Sequence, residues 1–314
     1  MKKILITGAL GQIGSELTLY LADIYGKENI IATNRSEKNI EAIGDVQFET
    51  LDVKDGERFM ELVEKHKPDT IINLAAILSA RGEKMPQETW QVNMGGLYNA
   101  LEICRITGAK LFTPSSIAAF GEGTPLDHTP QDTIQRPDTM YGVTKVAGEN
   151  LCDYYYKRFG VDCRGVRYPG IISYTTLPGE GTTDYAVHIF YEAIKNKKYT
   201  SYIDEGTKMD MMYMPDALKA VVDLMEADPD SLKHRNAFNI TAMSLAPEDL
   251  DKVIKKHIPE FELDYDVDPV RQKIAESWPN SLDDSCAREE WNWSPEYDLE
   301  KMTEDMLKNL KKKL

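Results

Sequence analysis

The first fourteen residues, MKKILITGALGQIG, restrict the fold more than any other stretch of the chain. A short β-forming run ends in glycines at positions 8, 11 and 14. Ile13, Leu17, Leu21 and Ile24 then recur at helical spacing, with Gly26 as a stop. Gly8 and Gly11 let the backbone turn tightly and approach a ligand, and Gly14 lets the helix pack close to the strand. The helix start offers unpaired N–H groups and the positive end of its dipole, which suits a pyrophosphate. Three spaced glycines are weak evidence alone. Between a strand and a helix, with a second strand ending about 20 residues on, they mark a dinucleotide cradle. Its residues are Gly8, Gly11, Gln12, Ile13 and Gly14.

The rest of the first two-thirds repeats the strand–helix alternation. KKILITG, NIIATN, VQFETLD, DTIINLA, AKLFTPSS and DCRGVRYPG read as strands, and 55–66, 87–107 and 142–159 read as helices. Strands that are nearly all apolar imply a parallel sheet covered on both faces. The fold class expected is α/β, a Rossmann-like doubly wound parallel sheet with a smaller C-terminal α/β lobe. After Gly170 the rhythm changes to the Gly-, Thr- and Pro-rich loop ISYTTLPGEGTTDYAV, then a helix at VHIFYEAIKNKK and another at MPDALKAVVDLMEAD with Pro215 in its first turn. AFNIT reads as a strand returning to the main sheet, and 244–314 as two helical stretches and much loop. The expected division is a dinucleotide-binding domain of 1–172 with about 209–242, and a substrate-binding lobe of about 173–208 with 243–314.

Composition narrows the function. A net charge of −15 over 314 residues argues against nucleic-acid binding, and the terminal KNLKKKL reads as a solvated helix end. No stretch approaches the ~20 apolar residues that span a bilayer, and the apolar start is too short for a signal peptide. Cys104, Cys152, Cys163 and Cys286 are scattered without paired spacing, as expected of reduced thiols in a cytoplasmic protein. His66, His128, His188, His234 and His257 form no ligand pattern with them, so no metal is expected.

The second strand closes on ATNRS, where an Asp or Glu would ordinarily bind the adenosine ribose. Asn34 still offers an amide oxygen but no charge, and Arg35 adjoins it as a partner for phosphate. The expected working cofactor is therefore NAD, with weaker discrimination against NADP than an Asp gives; the alternative is that both residues only begin a solvated loop.

In PDTMYGVTKVAGENL, Tyr141 and Lys145 stand four apart and share a helix face. A lysine ammonium beside a phenol favours the phenolate, so the tyrosine can act as a base nearer neutrality than a free phenol at ~10. Tyr191 and Lys195 in YEAIK repeat the spacing, but they lie in the later lobe. Tyr141 follows TPSSIAAFG, whose Ser115 and Ser116 end a parallel strand where ligands bind in this architecture. Ser116 is the candidate to bond the reacting oxygen and Ser115 to line the pocket. Asn93 in WQVNMGGLYNALE either joins a proton relay or holds the neighbouring helix.

The glycine turn, LDV with Asp52, NLAA at 73–76, Asn93, Ser116, Tyr141/Lys145 and RYPG at 167–170 together resemble the extended short-chain dehydrogenase/reductase family, over essentially the whole chain. LAAILSARGEK, TMYGVTKVAGE, VRYPGIISY, GTTDYAV, MMYMPDALKA and WPNSLDDS are similar to the short-chain type of NAD-dependent L-threonine 3-dehydrogenase. The resemblance implies oxidation of the L-threonine 3-hydroxyl to 2-amino-3-oxobutanoate, with Tyr141 as base, Lys145 lowering its pKa and holding the nicotinamide ribose, and Ser116 on the substrate hydroxyl. It puts Asp52, Val53, Leu74, Ala75, Ala76, Asn93, Tyr168, Pro169 and Ile171 at the cofactor. Ser79, Thr182, Thr183 and Trp278 fall at the substrate, though read from the residues alone the last is as readily core packing. It also implies a homodimer paired through 87–107 and 142–159. Two other readings stay open: a nucleotide-sugar epimerase or dehydratase, for which TTLPGEGTTDYAV lacks basic residues, and a dinucleotide sensor without turnover, against which Ser116, Tyr141 and Lys145 count.

Overall fold

A computed structural model describes residues 1–175 and 181–314. Residues 176–180, part of the expected Gly/Thr/Pro-rich loop, lie outside the described residues. The chain divides into two compact units, one of Met1–Ala119, Thr139–Arg167 and Leu218–Phe238, the other of Phe120–Asp138, Tyr168–Ala217 and Asn239–Leu314.

The first unit is built on six parallel strands, β1 (Ile4–Thr7), β2 (Ile30–Asn34), β3 (Gln47–Thr50), β4 (Thr70–Asn73), β5 (Lys110–Phe112) and β6 (Cys163–Arg164). Their spatial order is β3-β2-β1-β4-β5-β6, the doubly wound arrangement of the Rossmann fold. The central strands are mostly apolar and buried on both faces, as Ile4, Leu5, Ile6, Ile30, Ile31, Ile71 and Ile72 show, with Thr7, Thr33, Thr70 and Asn73 as buried polar residues among them. Four helices cover the sheet: α1 (Gln12–Tyr25), α2 (Gly56–His66), α3 (Gly96–Thr107) and α4 (Met140–Phe159). On one face Phe59, Leu62, Leu97, Leu101, Cys152 and Tyr155 pack onto Leu5, Ile31, Ile71 and Leu111.

Several expected elements are broken for visible reasons. The strand read over AKLFTPSS stops at Phe112 and resumes as Ser115–Ser116, because Pro114 has no N–H for a ladder. DCRGVRYPG likewise splits at Gly165, where a Cβ would lie 2.1 Å from the Thr113 carbonyl oxygen. The helix expected over 87–107 has an α-helical start at Pro86–Trp90, a π-helical turn at Gln91–Gly95 and then α3. AFNIT contributes only Phe238–Asn239, which joins a separate short ladder and not the six-stranded sheet.

In the second unit β7 (Gly170–Ile172) pairs parallel with β8 (Met209–Tyr213), which pairs antiparallel with β9 (Met243–Leu245). Lys198–Ser201 and Glu262–Tyr265 form a further parallel pair. Helices α5 (Tyr185–Lys195), α6 (Pro247–His257) and α7 (Leu299–Lys313) close a core that includes Phe190, Tyr213, Leu250, Met302 and Leu310. Residues 244–314 hold four helices where two were expected, the additional ones being the short Pro269–Glu276 and Ser285–Trp291. Both are too brief to stand out as periodicity.

Candidate active site

The glycine turn is folded as a phosphate cradle requires. Gly8 has φ +67°, and a Cβ there would sit 2.7 Å from the Ala75 amide nitrogen. A Cβ on Gly14 would meet the Gly8 carbonyl oxygen at 2.2 Å, so the helix touches the turn as closely as backbone allows. Thr7 fixes this approach: its hydroxyl donates to Asn73 Oδ1 at 2.7 Å and accepts from the Ala75 N–H at 3.3 Å. No side chain caps the start of α1 at Gly11, which leaves its first N–H groups for a ligand. Gln12 Nε2 is buried with no hydrogen-bond partner among the described residues, and Ile13 next to it is half-buried. An orphaned donor beside a side-chain-free turn fits a pyrophosphate.

From the turn a cleft of about 260 Å³ runs along the strand ends, lined by Gly8, Gly11, Asn34, Arg35, Asp52, Val53, and Leu74 through Ile77. Asn34 Nδ2 donates to the Ser36 carbonyl at 3.1 Å, and its Oδ1 has no partner among the described residues. Asp52 Oδ1 accepts from the Lys54 N–H at 3.0 Å, while the Lys54 ammonium donates to Glu88 at 2.9 Å. That bond holds the Lys54 pKa up, and the nearby Arg35 charge opposes it. Arg35 itself is exposed and makes no hydrogen bond or ion pair among the described residues. Val53 is buried, and its carbonyl accepts from Asn99 at 2.8 Å.

Thr139 starts α4 by accepting from the Gly142 N–H at 3.0 Å, which sets Tyr141 in the first turn. Lys145, one turn on, has its ammonium 5.3 Å from the centre of the Tyr141 ring and donates to the Pro114 carbonyl at 2.6 Å. Pro114 thus ends the ladder and receives the lysine. Ser115 is buried with its hydroxyl donated to Glu149, whereas Ser116 is half-buried and its Oγ accepts from the Ala118 N–H at 3.2 Å. No described residue accepts the Ser116 proton. The Asn93 side chain is fully engaged, accepting from Ile77 N–H at 2.8 Å and donating to the Ile77 carbonyl at 3.1 Å and to Thr144 Oγ1 at 3.0 Å. It joins the chain after β4 to the helix of Tyr141 and Lys145. Ser79 is buried at the start of the short helix Ser79–Lys84.

The remaining candidates lie in the second unit. The Tyr168 hydroxyl donates to the Ala217 carbonyl at 2.7 Å, and burial pushes its pKa far up. Pro169 follows it, and Ile171 pairs with Met212 in β7–β8. Thr182 and Thr183 form a 3₁₀ turn before α5; a Cβ on Gly170 would lie 2.8 Å from Thr183 Cγ2, so β7 needs glycine there. Trp278, 7 % exposed, follows the helix Pro269–Glu276.

Spacing did not reveal the bond from Thr7 to Asn73 and Ala75, the π turn that carries Asn93, or the buried Glu149–Arg167 pair. Glu149 does stand four residues after Lys145, a usable signal; its partner Arg167 is distant in sequence.

Residues 4–241 match the NAD dependent epimerase/dehydratase family. An uncharacterised epimerase/dehydratase of Staphylococcus saprophyticus is 56% identical over 98% of this chain and 96% of its own. The crystal structure of an L-threonine dehydrogenase from Clostridium difficile superposes with a TM-score of 0.98 at 64% identity, covering 100% of this chain and 98% of that one. An L-threonine dehydrogenase from Phytophthora infestans gives a TM-score of 0.96 at 48% identity, with 100% of both chains covered. With the fold, the cradle and the matched span agreeing, the chain belongs to the NAD dependent epimerase/dehydratase family and is an enzyme of the extended short-chain dehydrogenase/reductase type.

Proposed function

We propose that this enzyme oxidises the 3-hydroxyl of L-threonine to 2-amino-3-oxobutanoate. The observation that carries the reading is the 64% identity, over the whole chain, to a structure that is an L-threonine dehydrogenase. The arrangement of Tyr141, Lys145 and Ser116 supports it. Tyr141 takes the hydroxyl proton at its phenol oxygen, and the Lys145 ammonium stands 5.3 Å from its ring centre. Ser116, with its proton uncommitted, holds the reacting oxygen. When bound, NAD would supply the hydride acceptor; Gly8, Gly11, Gln12, Ile13 and Gly14 would hold its pyrophosphate and Asn34 its adenosine ribose. Ser79 is assigned to the amino acid; Thr182, Thr183 and Trp278, which the family resemblance also puts at the substrate, belong to the lobe of about 173–208 and 243–314.

The test is NADH formation at 340 nm with L-threonine, D-threonine, L-serine and UDP-glucose. Turnover of L-threonine far above the others supports the reading; no NADH from the amino acids, with UDP-glucose converted to an epimer or a dehydrated sugar by product analysis (reactions that return the hydride and leave no net NADH), makes the protein an epimerase-like enzyme.

We infer a homodimer as well. α3 and α4 expose Tyr98, Ile106, Tyr154 and Phe159, each more than 40% accessible, which is costly to leave in water. No helix among the described residues is long and apolar enough to cross a membrane. The scattered reduced thiols favour a cytoplasmic setting.

A further inference from the structure

We propose that Glu149 is a positioning residue for the reaction, holding the serine strand end against the helix of Tyr141 and Lys145 through a buried clamp with Ser115 and Arg167. Tyr141, Lys145 and Glu149 are spaced four apart on α4, so all three point from one face of the helix. Arg167 Nε donates to Glu149 Oε1 at 3.0 Å and its Nη2 to Oε2 at 2.8 Å, a forked pair in which each charge answers the other. The Ser115 hydroxyl donates to the same Oε1. Glu149, Arg167 and Ser115 are 8%, 6% and 7% exposed, so the cluster is shielded from competing water.

One carboxylate therefore joins three segments: the helix with the base, the short strand Ser115–Ser116, and the strand Val166–Tyr168. Lys145 ties the same strand end one residue earlier, through the Pro114 carbonyl at 2.6 Å. Pro114 and Ser115 are thus both fastened to α4, and Ser116 is the first residue of the stretch whose hydroxyl proton no described residue accepts. The two tethers fix where that hydroxyl stands relative to the phenol. A buried ion pair serving stability alone has no need of the serine; this one is shared with it.

This inference rests on the proposed roles of Tyr141 and Ser116, so Tyr141→Phe is measured alongside. Ser115→Ala leaves the Glu149–Arg167 pair whole and cuts only its link to the strand. We expect kcat to fall about tenfold, the worth of one hydrogen bond to a charged group. The KM for NAD, NADH binding followed by fluorescence and the position of the pH–kcat curve should stay near their wild-type values, while the melting temperature should fall by only a few degrees, the cost of the lost buried bond. Ser115→Thr, which keeps the hydroxyl, should recover most of the loss. Normal kcat in Ser115→Ala beside an inactive Tyr141→Phe overturns the clamp. So does a loss of kcat that comes with equal losses of melting temperature and NADH binding, which is general damage. An active Tyr141→Phe overturns the proposed reaction and the clamp with it.

Discussion

Lys145 and Tyr141 meet with the ammonium 5.3 Å from the ring centre, and Lys195 stands over Tyr191 in nearly the same way, at 5.7 Å. What separates the pairs is their surroundings. The Tyr191 hydroxyl donates to the Tyr174 carbonyl at 3.0 Å, and its ring, 5% exposed, is part of the core of the second unit. Tyr141 is half-buried in the first turn of α4, one turn before Lys145, which bonds the Pro114 carbonyl two residues before Ser116.

Tyr141→Phe should lower turnover of L-threonine by ~10²–10⁴-fold, the usual worth of general-base catalysis, with an unchanged melting temperature. Tyr191→Phe loses a buried hydrogen bond and should cost about 1 kcal/mol of stability while keeping kcat. Steady-state kinetics and thermal unfolding of both variants check the assignment. The reverse pattern would move the base to Tyr191.

Asn34→Asp should improve NAD binding about tenfold and depress NADP, because a charged acceptor bonds the ribose hydroxyls more strongly and repels a 2′-phosphate. Arg35→Ala should weaken NADP more than NAD, since the guanidinium is without a partner at the cleft wall. KM values for both cofactors in the three proteins decide it; an unchanged ratio would show that position 34 does not reach the ribose.

Gly14→Ala forces a methyl to 2.2 Å from the Gly8 carbonyl oxygen and 2.9 Å from Ala9 Cα, so backbone must shift. We expect about 1–3 kcal/mol of destabilisation and at least tenfold weaker NADH binding. Gly95→Ala, where a Cβ meets nothing within 4 Å, is the control and should leave both unchanged. Denaturant unfolding and a fluorescence titration read the two effects.

Asp210 gives a pH prediction. Burial pushes its carboxyl from 3.8 up to about 8, against the lowering pull of the Thr241 hydroxyl at 2.6 Å and the Leu282 N–H at 2.8 Å. Between those values the folded chain keeps a proton that the unfolded chain releases, so this group's contribution to stability is present below pH 3.8, falls as pH rises, and is gone above about 8. Asp210→Asn removes that dependence. From pH 5 to 9 its melting temperature should move roughly 5 °C in its favour relative to wild type; parallel curves for the two proteins would refute the burial argument.

The parallel sheet was legible because its signals are local: apolar strands, glycines at 8, 11 and 14, and a 3.6-residue period in α1. The spacing of Tyr141 and Lys145 is equally local, although sequence could not show that Lys145 bonds Pro114. What spacing cannot carry is a close approach between distant residues. Gly165 reads as a loose strand residue until Thr113 is found against it, and Glu149 reads as one more exposed helix charge until Arg167 and Ser115 are found bonded to it. The π turn escaped for another reason: nothing in the run Gln91–Gly95 marks an extra residue in the helical period, and only the bonds Asn93 makes to Ile77 and Thr144 distinguish it.

That turn is a one-residue insertion that the helix absorbs without losing its phase. An α-helix advances about 100° per residue, and a π turn holds one residue more than the α-helical count, so Gln91–Gly95 turns the chain about as far as four α-helical residues would. The helix on either side therefore stays in register: Thr89 before the turn keeps its buried place, where it bonds the Met85 carbonyl at 2.8 Å, and Leu97 and Leu101 beyond it stay in the core against the sheet. A related chain that keeps both buried faces can thus be one residue shorter here, with a plain α-helical turn standing where this chain has the π turn.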